Sequence, residues 1–314
     1  MRPPIAFVTR ATAEEGEAWL SVLRQAMPQE RILAFASMSA ADRQAADIAI
    51  VANPDPADVA QLTGLSFIHS LWAGVERLVM ELGDGAPPIV RLVDPELSRV
   101  MGEAVLAWTY YLQRDMPAYR QRQAERLWEP RPYRHPKETT IGLLGLGALG
   151  SEAAQRLVGA GFAVQGWSRT PRSLPDVETF SGEDGLDRIL SSSDIIVCLL
   201  PLTPQTRGLL NAERLARLKD KAALINFARG AIIPAADLIA GLDAGRIAHA
   251  VLDVFETEPL PVDSPLWTHP KVTVLPHISA PTTEGSAAKI VAGNVDQFRK
   301  AGKLPKTVDR KRGY

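Results

Sequence analysis

Late in the chain an arginine, a glutamate and a histidine follow one another, each just beyond an apolar, strand-like run. Arg229 lies in Asn226-Phe227-Ala228-Arg229-Gly230, Glu258 in Asp253-Val254-Phe255-Glu256-Thr257-Glu258-Pro259, and His277 in Pro276-His277-Ile278-Ser279. Residues at the carboxyl ends of strands stand where open α/β sheets bind their ligands. A guanidinium there can hold a carboxylate and polarise the adjoining carbonyl, and an imidazole of near-neutral pKa can carry a proton. The chemistry within reach is addition of hydride and a proton to a 2-oxo acid, in a pocket kept dry. Taken singly, each residue has a plainer reading: a solvated turn arginine, an ordinary loop carboxylate, a structural histidine. Three on one sheet edge favour function.

Hydride needs a carrier, and the sequence offers a place for one. Gly145, Gly147 and Gly150 form the pattern GLGALG directly after the strand-like TTIGLL, and a helical stretch through Glu152, Ala153, Leu157 and Val158 follows. Alone, such a glycine pattern equally describes a tight turn with no ligand. Strand, turn and helix in this order make it a dinucleotide site: Gly145 for the turn, Gly147 for backbone approach to the pyrophosphate, Gly150 for helix-strand packing. A site for NAD should carry an acidic residue at the end of the next strand, roughly 20 residues on, to accept from the ribose 2′-hydroxyl. This chain has Trp167, Ser168, Arg169, Thr170 and then Arg172. Cations with neighbouring hydroxyls suit the 2′-phosphate of NADP(H), with NAD(H) still possible. The alternative is a solvated basic loop without a role in selectivity.

These groups need a scaffold, and the hydrophobic pattern supplies it. Short runs rich in Ile and Val, at 5–9, 31–35, 48–52, 67–71 and 89–93, alternate with helical segments. Such alternation predicts βα units and a parallel sheet. The longest helical pattern, 96–128, repeats Val100, Met101, Ala104, Val105, Trp108 and Tyr111 at three- and four-residue steps and is expected to bridge two domains. Six further strand candidates follow, at 139–144, 163–167, 195–200, 223–226, 250–254 and 272–275, then a last helix at 283–300 and a short basic tail.

Composition removes other classes. At 314 residues and 46% hydrophobic the chain can bury a substantial core, and a net charge of -1 gives no basic stripe for nucleic acid. No stretch resembles a signal peptide or a membrane span, so a soluble cytoplasmic protein is expected, with no membrane partner. The single cysteine, Cys198, lies in an apolar run and reads as a small hydrophobe rather than a reactive thiol, and no cysteine-based metal site is possible.

Five motifs in order, GLGALG at 145–150, LPLTPQTRGLLN at 200–211, NFARG at 226–230, LDVFETEPL at 252–260 and LPHIS at 275–279, resemble the D-isomer-specific 2-hydroxyacid dehydrogenases over essentially the whole length. The resemblance implies an α/β fold of two flavodoxin- and Rossmann-like, doubly wound parallel-sheet domains with an interdomain active-site cleft. It divides the chain into a discontinuous substrate domain, 1–101 with 284–314, and an NAD(P)-binding Rossmann domain, 102–283. It makes Arg229 the ligand of the substrate carboxylate and keto oxygen, His277 the acid/base, and Glu258 the partner of the far nitrogen of His277. A carboxylate there stabilises the imidazolium and fixes its tautomer.

By the same resemblance, the backbone of Trp72, Ala73, Gly74 and Val75 cradles the substrate carboxylate. That loop follows a strand and opens a helix, so its N–H groups can face an anion. The alternative is that Gly74 only punctuates a turn. The cofactor is expected against Gly145, Gly147, Ala148, Leu149 and Gly150, then Trp167, Ser168 and Arg169, then Leu200, Pro201, Leu202 and Thr206, and finally Phe227, Ala228, Arg229, Asp253, His277 and Ser279. Asp253 would hold the carboxamide side, and Met101 and Val105 would pack near the nicotinamide. Family members are typically homodimers, with 120–134 and its Trp128 as the expected swapped arm; a surface loop of a monomer is the alternative.

Within the family, the Trp-Ser-Arg strand end, the Trp-Ala-Gly-Val loop and the DRKRGY tail look most like the bacterial glyoxylate/hydroxypyruvate reductase A group. Those reductases carry a tryptophan in an early loop over the substrate, whereas 36–47 here offers only Met38 as a large apolar group. Either Trp72, Trp267 or Trp128 fills that place, or the substrate is a bulkier 2-oxo acid such as phenylpyruvate. A regulatory relative of the corepressor kind, using the cofactor as a signal, is the rival from another class. Phosphoglycerate and formate dehydrogenases fit less well, for want of an appended domain and of formate-specific surroundings.

Overall fold

The computed structural model describes residues 2–310; the last four residues of the basic tail lie outside the described residues. Two compact units emerge, 1–94 with 282–314 and 95–281. The helix that follows position 94 therefore belongs whole to the second unit, although the expected boundary at 101 would have split it.

In the first unit the strands are β1 (Ile5–Thr9), β2 (Ile32–Ala34), β3 (Ile48–Ala52), β4 (Phe67–Ser70) and β5 (Ile89–Val90), in the order β2-β1-β3-β4-β5. Every pairing is parallel. This is the flavodoxin-like order, with its switch point between β1 and β3. Strands β1 and β3 run as IAFVT and IAIVA because both faces are covered, which is the pattern of a parallel sheet sheathed by helices. The closing helix Glu284–Ala301 returns to cover this sheet, its Ala287, Ala288, Val291 and Val295 sharing a core with Ile5, Phe7, Ile50 and Phe67.

Polar contacts fix that return. His69 on β4 is fully buried; its Nδ1 lies 2.9 Å from the Ser70 carbonyl oxygen and its Nε2 2.8 Å from Asn294 Nδ2. A ring nitrogen against a carbonyl must donate, so Nε2 accepts from Asn294. Burial pushes the His69 pKa down to about 4, keeping the ring neutral. Nearby, Arg299 donates to Glu30 at 3.1 Å and makes a forked pair with Asp47.

The second unit holds β6 (Thr140–Leu144), β7 (Ala163–Trp167), β8 (Glu178–Phe180), β9 (Ile195–Cys198), β10 (Ala222–Asn226), β11 (Ile247–Leu252) and β12 (Val272–Val274), in the order β12-β11-β10-β9-β6-β7-β8. The sheet is again all parallel. Its switch point falls between β6 and β9, as in Rossmann sheets. Six strands were expected and seven form; β8 was missed because three half-exposed residues on a sheet edge carry no apolar period.

The helix expected over 96–128 is also corrected. It runs Pro95–Gln113, breaks, and resumes as Met116–Glu125. A proline at 117 has no N–H for the helix ladder and its ring would meet the carbonyl four residues back. Asp115 takes a left-handed conformation, φ 56°, to turn the chain. Cys198 is buried and its thiol pKa is pushed up to about 12, which makes it an inert core group. No helix of the described residues is long and apolar enough to cross a membrane, and none of their acidic, histidine and cysteine side chains cluster as a metal site.

The Arg299 cluster yields a stability test. Its Glu30 partner has no side-chain exposure and Arg299 itself has 11%. Arg299→Ala should take from Glu30 and Asp47 the cation they share, leaving Glu30 with Arg2 alone at 2.5 Å, and cost about 3 kcal/mol in urea unfolding. A loss below about 0.5 kcal/mol would place the pair with ordinary surface ion pairs.

Candidate active site

Three consecutive strands of the second unit deliver the chemical groups. The chain leaves β10 at Asn226, β11 before Asp253 and β12 before His277, and the three exits adjoin because β10, β11 and β12 pair side by side. Arg229 is half-buried in an extended conformation, φ -146°, ψ 143°, and its Nη1 donates to the Ala228 carbonyl at 2.6 Å. Glu258 accepts from the Phe255 N–H at 2.8 Å through Oε1 and lies 2.7 Å from His277 Nδ1 through Oε2. With Nδ1–H given to the carboxylate, Nε2 is the ring nitrogen left to exchange a proton.

His277 has a left-handed backbone, φ 55°, which a residue with a side chain adopts only when held. Buried Asp253 holds it: Oδ1 accepts from Ile278 N–H at 2.7 Å and Oδ2 from Ser279 N–H at 2.9 Å. The Asp253 N–H in turn donates to the Asn226 carbonyl at 3.1 Å.

The charges act in opposite directions on the imidazole. The hydrogen bond to Glu258 raises the His277 pKa above its ordinary 6.5, burial lowers it, and the charges of Glu258 and Asp253 raise it while Arg229 lowers it; the net shift is upward. For Glu258, burial pushes upward, but the bonds from His277 and the Phe255 N–H, with the charges of His277 and Arg229, prevail and keep the carboxyl below its usual range.

The glycine turn occupies the switch point of the same sheet. Gly145 follows β6 with φ 106°, and its N–H donates to the Trp167 carbonyl at 2.9 Å. A Cβ on Gly150 would lie 1.8 Å from the Gly145 carbonyl oxygen, so no side chain fits. Gly147 caps the helix Ala148–Gly159, and a Cβ there would meet nothing within 4 Å, so its outer side is open. An open backbone at a helix amino end, with Ala148 and Leu149 in the first turn, suits a pyrophosphate. The buried Ser279 hydroxyl, without a partner among the described residues, is a further polar group available to a dinucleotide. The residues present therefore fit that cofactor.

Other expected residues are placed as follows. Trp167 points inward and donates Nε1–H to the Gly182 carbonyl, leaving its backbone at the turn. Ser168 donates its hydroxyl to the Thr170 carbonyl at 2.7 Å, and Arg169, Thr170 and Arg172 stand exposed in the loop after β7. The Thr206 hydroxyl accepts from Thr203 N–H and donates to the Pro201 carbonyl, bracing the loop that also carries Leu200 and Leu202. Phe227 and Ala228 are buried beside Arg229. Met101 and Val105 belong to the core under β6, β9 and β10.

In the first unit, Trp72 gives its N–H to Ser70 Oγ at 3.0 Å and sets its ring edge-on to Trp19, centroids 5.9 Å apart. The Ala73, Gly74 and Val75 amides engage no acceptor among the described residues. Met38 is a core residue, Trp267 is half-exposed with Nε1–H on the Pro261 carbonyl, and Trp128 is 99% exposed. Sequence reasoning gave no role to Asn226 or to the Phe255 N–H. The asparagine two residues before a sharp turn was the available signal, since Asx side chains bond to the backbone two residues on.

Comparison with known proteins places the chain among relatives of one family. Residues 106–279 match the family described as D-isomer specific 2-hydroxyacid dehydrogenase, NAD binding domain. The D-isomer specific 2-hydroxyacid dehydrogenase of Xanthobacter autotrophicus Py2, solved with NADPH and MES, is 38% identical with a TM-score of 0.93, covering 100% of both chains. The NADPH-dependent glyoxylate/hydroxypyruvate reductase of Sinorhizobium meliloti, solved with NADP and sulfate, is 33% identical with a TM-score of 0.91 over 99% of each chain. A probable 2-hydroxyacid dehydrogenase of Rhizobium etli CFN 42, solved with NADP, HEPES and L(+)-tartaric acid, is 32% identical with a TM-score of 0.90 over 100% of each. With the Arg, Glu and His on adjoining strand ends, the glycine turn at the switch point and likeness over its whole length, the chain belongs to the D-isomer specific 2-hydroxyacid dehydrogenases.

Proposed function

We propose that the protein reduces a small 2-oxo acid of the glyoxylate or hydroxypyruvate class to the D-2-hydroxy acid with NADPH. The observation that carries this reading is the 2.7 Å pair between His277 and Glu258 beside Arg229. NADPH, when bound at the glycine turn, supplies the hydride. Arg229 holds the carboxylate and draws charge toward the keto oxygen, and protonated His277 gives its Nε2 proton to that oxygen as the carbonyl carbon gains hydride. Glu258 keeps the imidazolium charged until then and fixes its tautomer. In the first unit, the amides of Ala73, Gly74 and Val75 are assigned to anion binding. The absence of an acidic residue after β7, with Arg169 and Arg172 in its place, supports NADPH over NADH. The similarity to the Sinorhizobium reductase supports the substrate class. The protein is further proposed to act as a homodimer through 120–134, where Trp128, Leu127 and Tyr133 expose apolar surface.

Four measurements test the reading. Glyoxylate, hydroxypyruvate and phenylpyruvate, each assayed with NADPH and NADH, should give the highest kcat/KM for a small acid with NADPH. Arg229→Ala and His277→Ala should each lose about 100-fold or more while still binding cofactor. Turnover unaffected by either change sinks the mechanism, and equal use of the two cofactors sinks the preference. In the pH profile, His277 must be protonated to reduce, so kcat/KM for reduction should be level at low pH and fall as pH rises through a pKa above 6.5. Glu258→Gln should move that fall to lower pH, and an unmoved profile would separate Glu258 from the proton donor. Light scattering at low protein concentration should return twice the 34.1 kDa chain mass; a monomer would end the proposal of a dimer.

A further inference from the structure

We infer that Asn226 is the residue that positions Arg229, an inference that rests on the role proposed above for that arginine. Asn226 is the last residue of β10 and is buried to 1% exposure. Its Oδ1 accepts from the Ala228 N–H at 3.2 Å and its Nδ2 donates to the Arg229 carbonyl at 3.1 Å. One side chain thus bonds a donor and an acceptor on successive residues of the turn, where the strand ladder has ended; the Ala228 N–H has Asn226 as its acceptor, and the Arg229 carbonyl shares Asn226 with the Ile232 N–H at 3.2 Å. Ala228 is held at both ends of its backbone, its N–H on Asn226 and its carbonyl taking the Arg229 Nη1–H.

The same turn is fixed from above by close packing. A Cβ on Gly230 would lie 2.0 Å from the Phe255 carbonyl carbon, so the backbone after Arg229 rests directly on Phe255. The Phe255 N–H is the donor to Glu258 Oε1. Asn226 therefore sets the arginine turn against the segment that orients the Glu258–His277 pair. Any L-residue with a side chain at 226 can end β10, but only one carrying an acceptor and a donor on a short planar group can close both bonds. An aspartate keeps the acceptor and turns the donor into a second acceptor facing a carbonyl; a serine keeps the acceptor and falls short of the Arg229 carbonyl.

The test uses the full chain with Asn226→Asp and Asn226→Ser. Each variant should lose on the order of ten-fold in kcat/KM for the 2-oxo acid, the effect of one buried hydrogen bond, through a raised KM as well as a lowered kcat. NADPH affinity, read by fluorescence titration, should fall less than kcat/KM, because Phe227 to Arg229 are only part of the expected cofactor contacts and the glycine turn lies on other strands. In an Arg229→Lys background the same substitutions should add less than about two-fold, since Asn226 acts through the arginine it holds. Full additivity in that background, or kcat/KM of the Asn226→Ser variant within about two-fold of the parent, would overturn the inference. If the parent protein turns over no 2-oxo acid, the functional reading fails by itself. The crystal structure of Asn226→Ser then decides the positioning role: an Arg229 backbone moved from φ -146°, ψ 143° supports it, and an unmoved one overturns it.

Discussion

A histidine in the left-handed region costs of order 1–3 kcal/mol and persists only when its surroundings over-determine it. At His277 they do so through one buried carboxylate. Asp253 receives the two N–H groups that follow the histidine, and hydrogen bonds to an ionised acceptor are about twice as strong as neutral ones. Without that clamp the imidazole would not face Glu258. Asp253 can serve because its own N–H is held by the Asn226 carbonyl, which ties the end of β11 to the end of β10. The position of His277 is thus inherited from the parallel pairing of three strands.

The cofactor turn obeys a related constraint. Gly145 and Gly150 are forced by backbone meeting backbone at the head of β6, whereas the open side of Gly147 serves nothing inside the protein. Closure on one side and openness on the other are what the proposed dinucleotide site requires of this turn. The loop after β7 shows the same economy: Ser168 is consumed in bracing it, so the charge it presents outward comes from arginines.

Much of this was legible from residue types. Strands β1, β3 and β9 announce themselves as short apolar runs rich in β-branched residues, and the sequence motifs single out Arg229, Glu258 and His277. What escaped notice depended on contacts between distant segments. Strand β8 exists because Glu178–Phe180 pairs with Gln165–Trp167, not because its three residues prefer extension. Trp72 both packs edge-on to Trp19 and lines a pocket with Ser70 and Gly74, a double placement its letter does not reveal, and Met38 reads as a candidate side chain only while its core neighbours are unknown. The break before Met116 was readable, since Pro117 forbids a continuous helix, but the apolar period on either side concealed it. Asn226 was visible as a letter; its work appears only when the turn it bridges is seen.

The balance of charge around His277 explains why an arginine and a carboxylate both belong beside it. A proton donor held too tightly is a poor acid, and one held too loosely is empty when substrate arrives. The bond to Glu258 alone would favour the imidazolium strongly, and Asp253 adds to it. Arg229 and burial push the other way, and the net shift, though upward, is the remainder after that opposition. In the proposed mechanism the arginine thus acts on the histidine's acidity as well as on the substrate's charge, so a change that moves Arg229 would alter both at once. On the proposed roles, that coupling gives the turn beneath Arg229 its importance: the bonds from Asn226 to the Ala228 N–H and the Arg229 carbonyl brace the backbone that carries this positive charge.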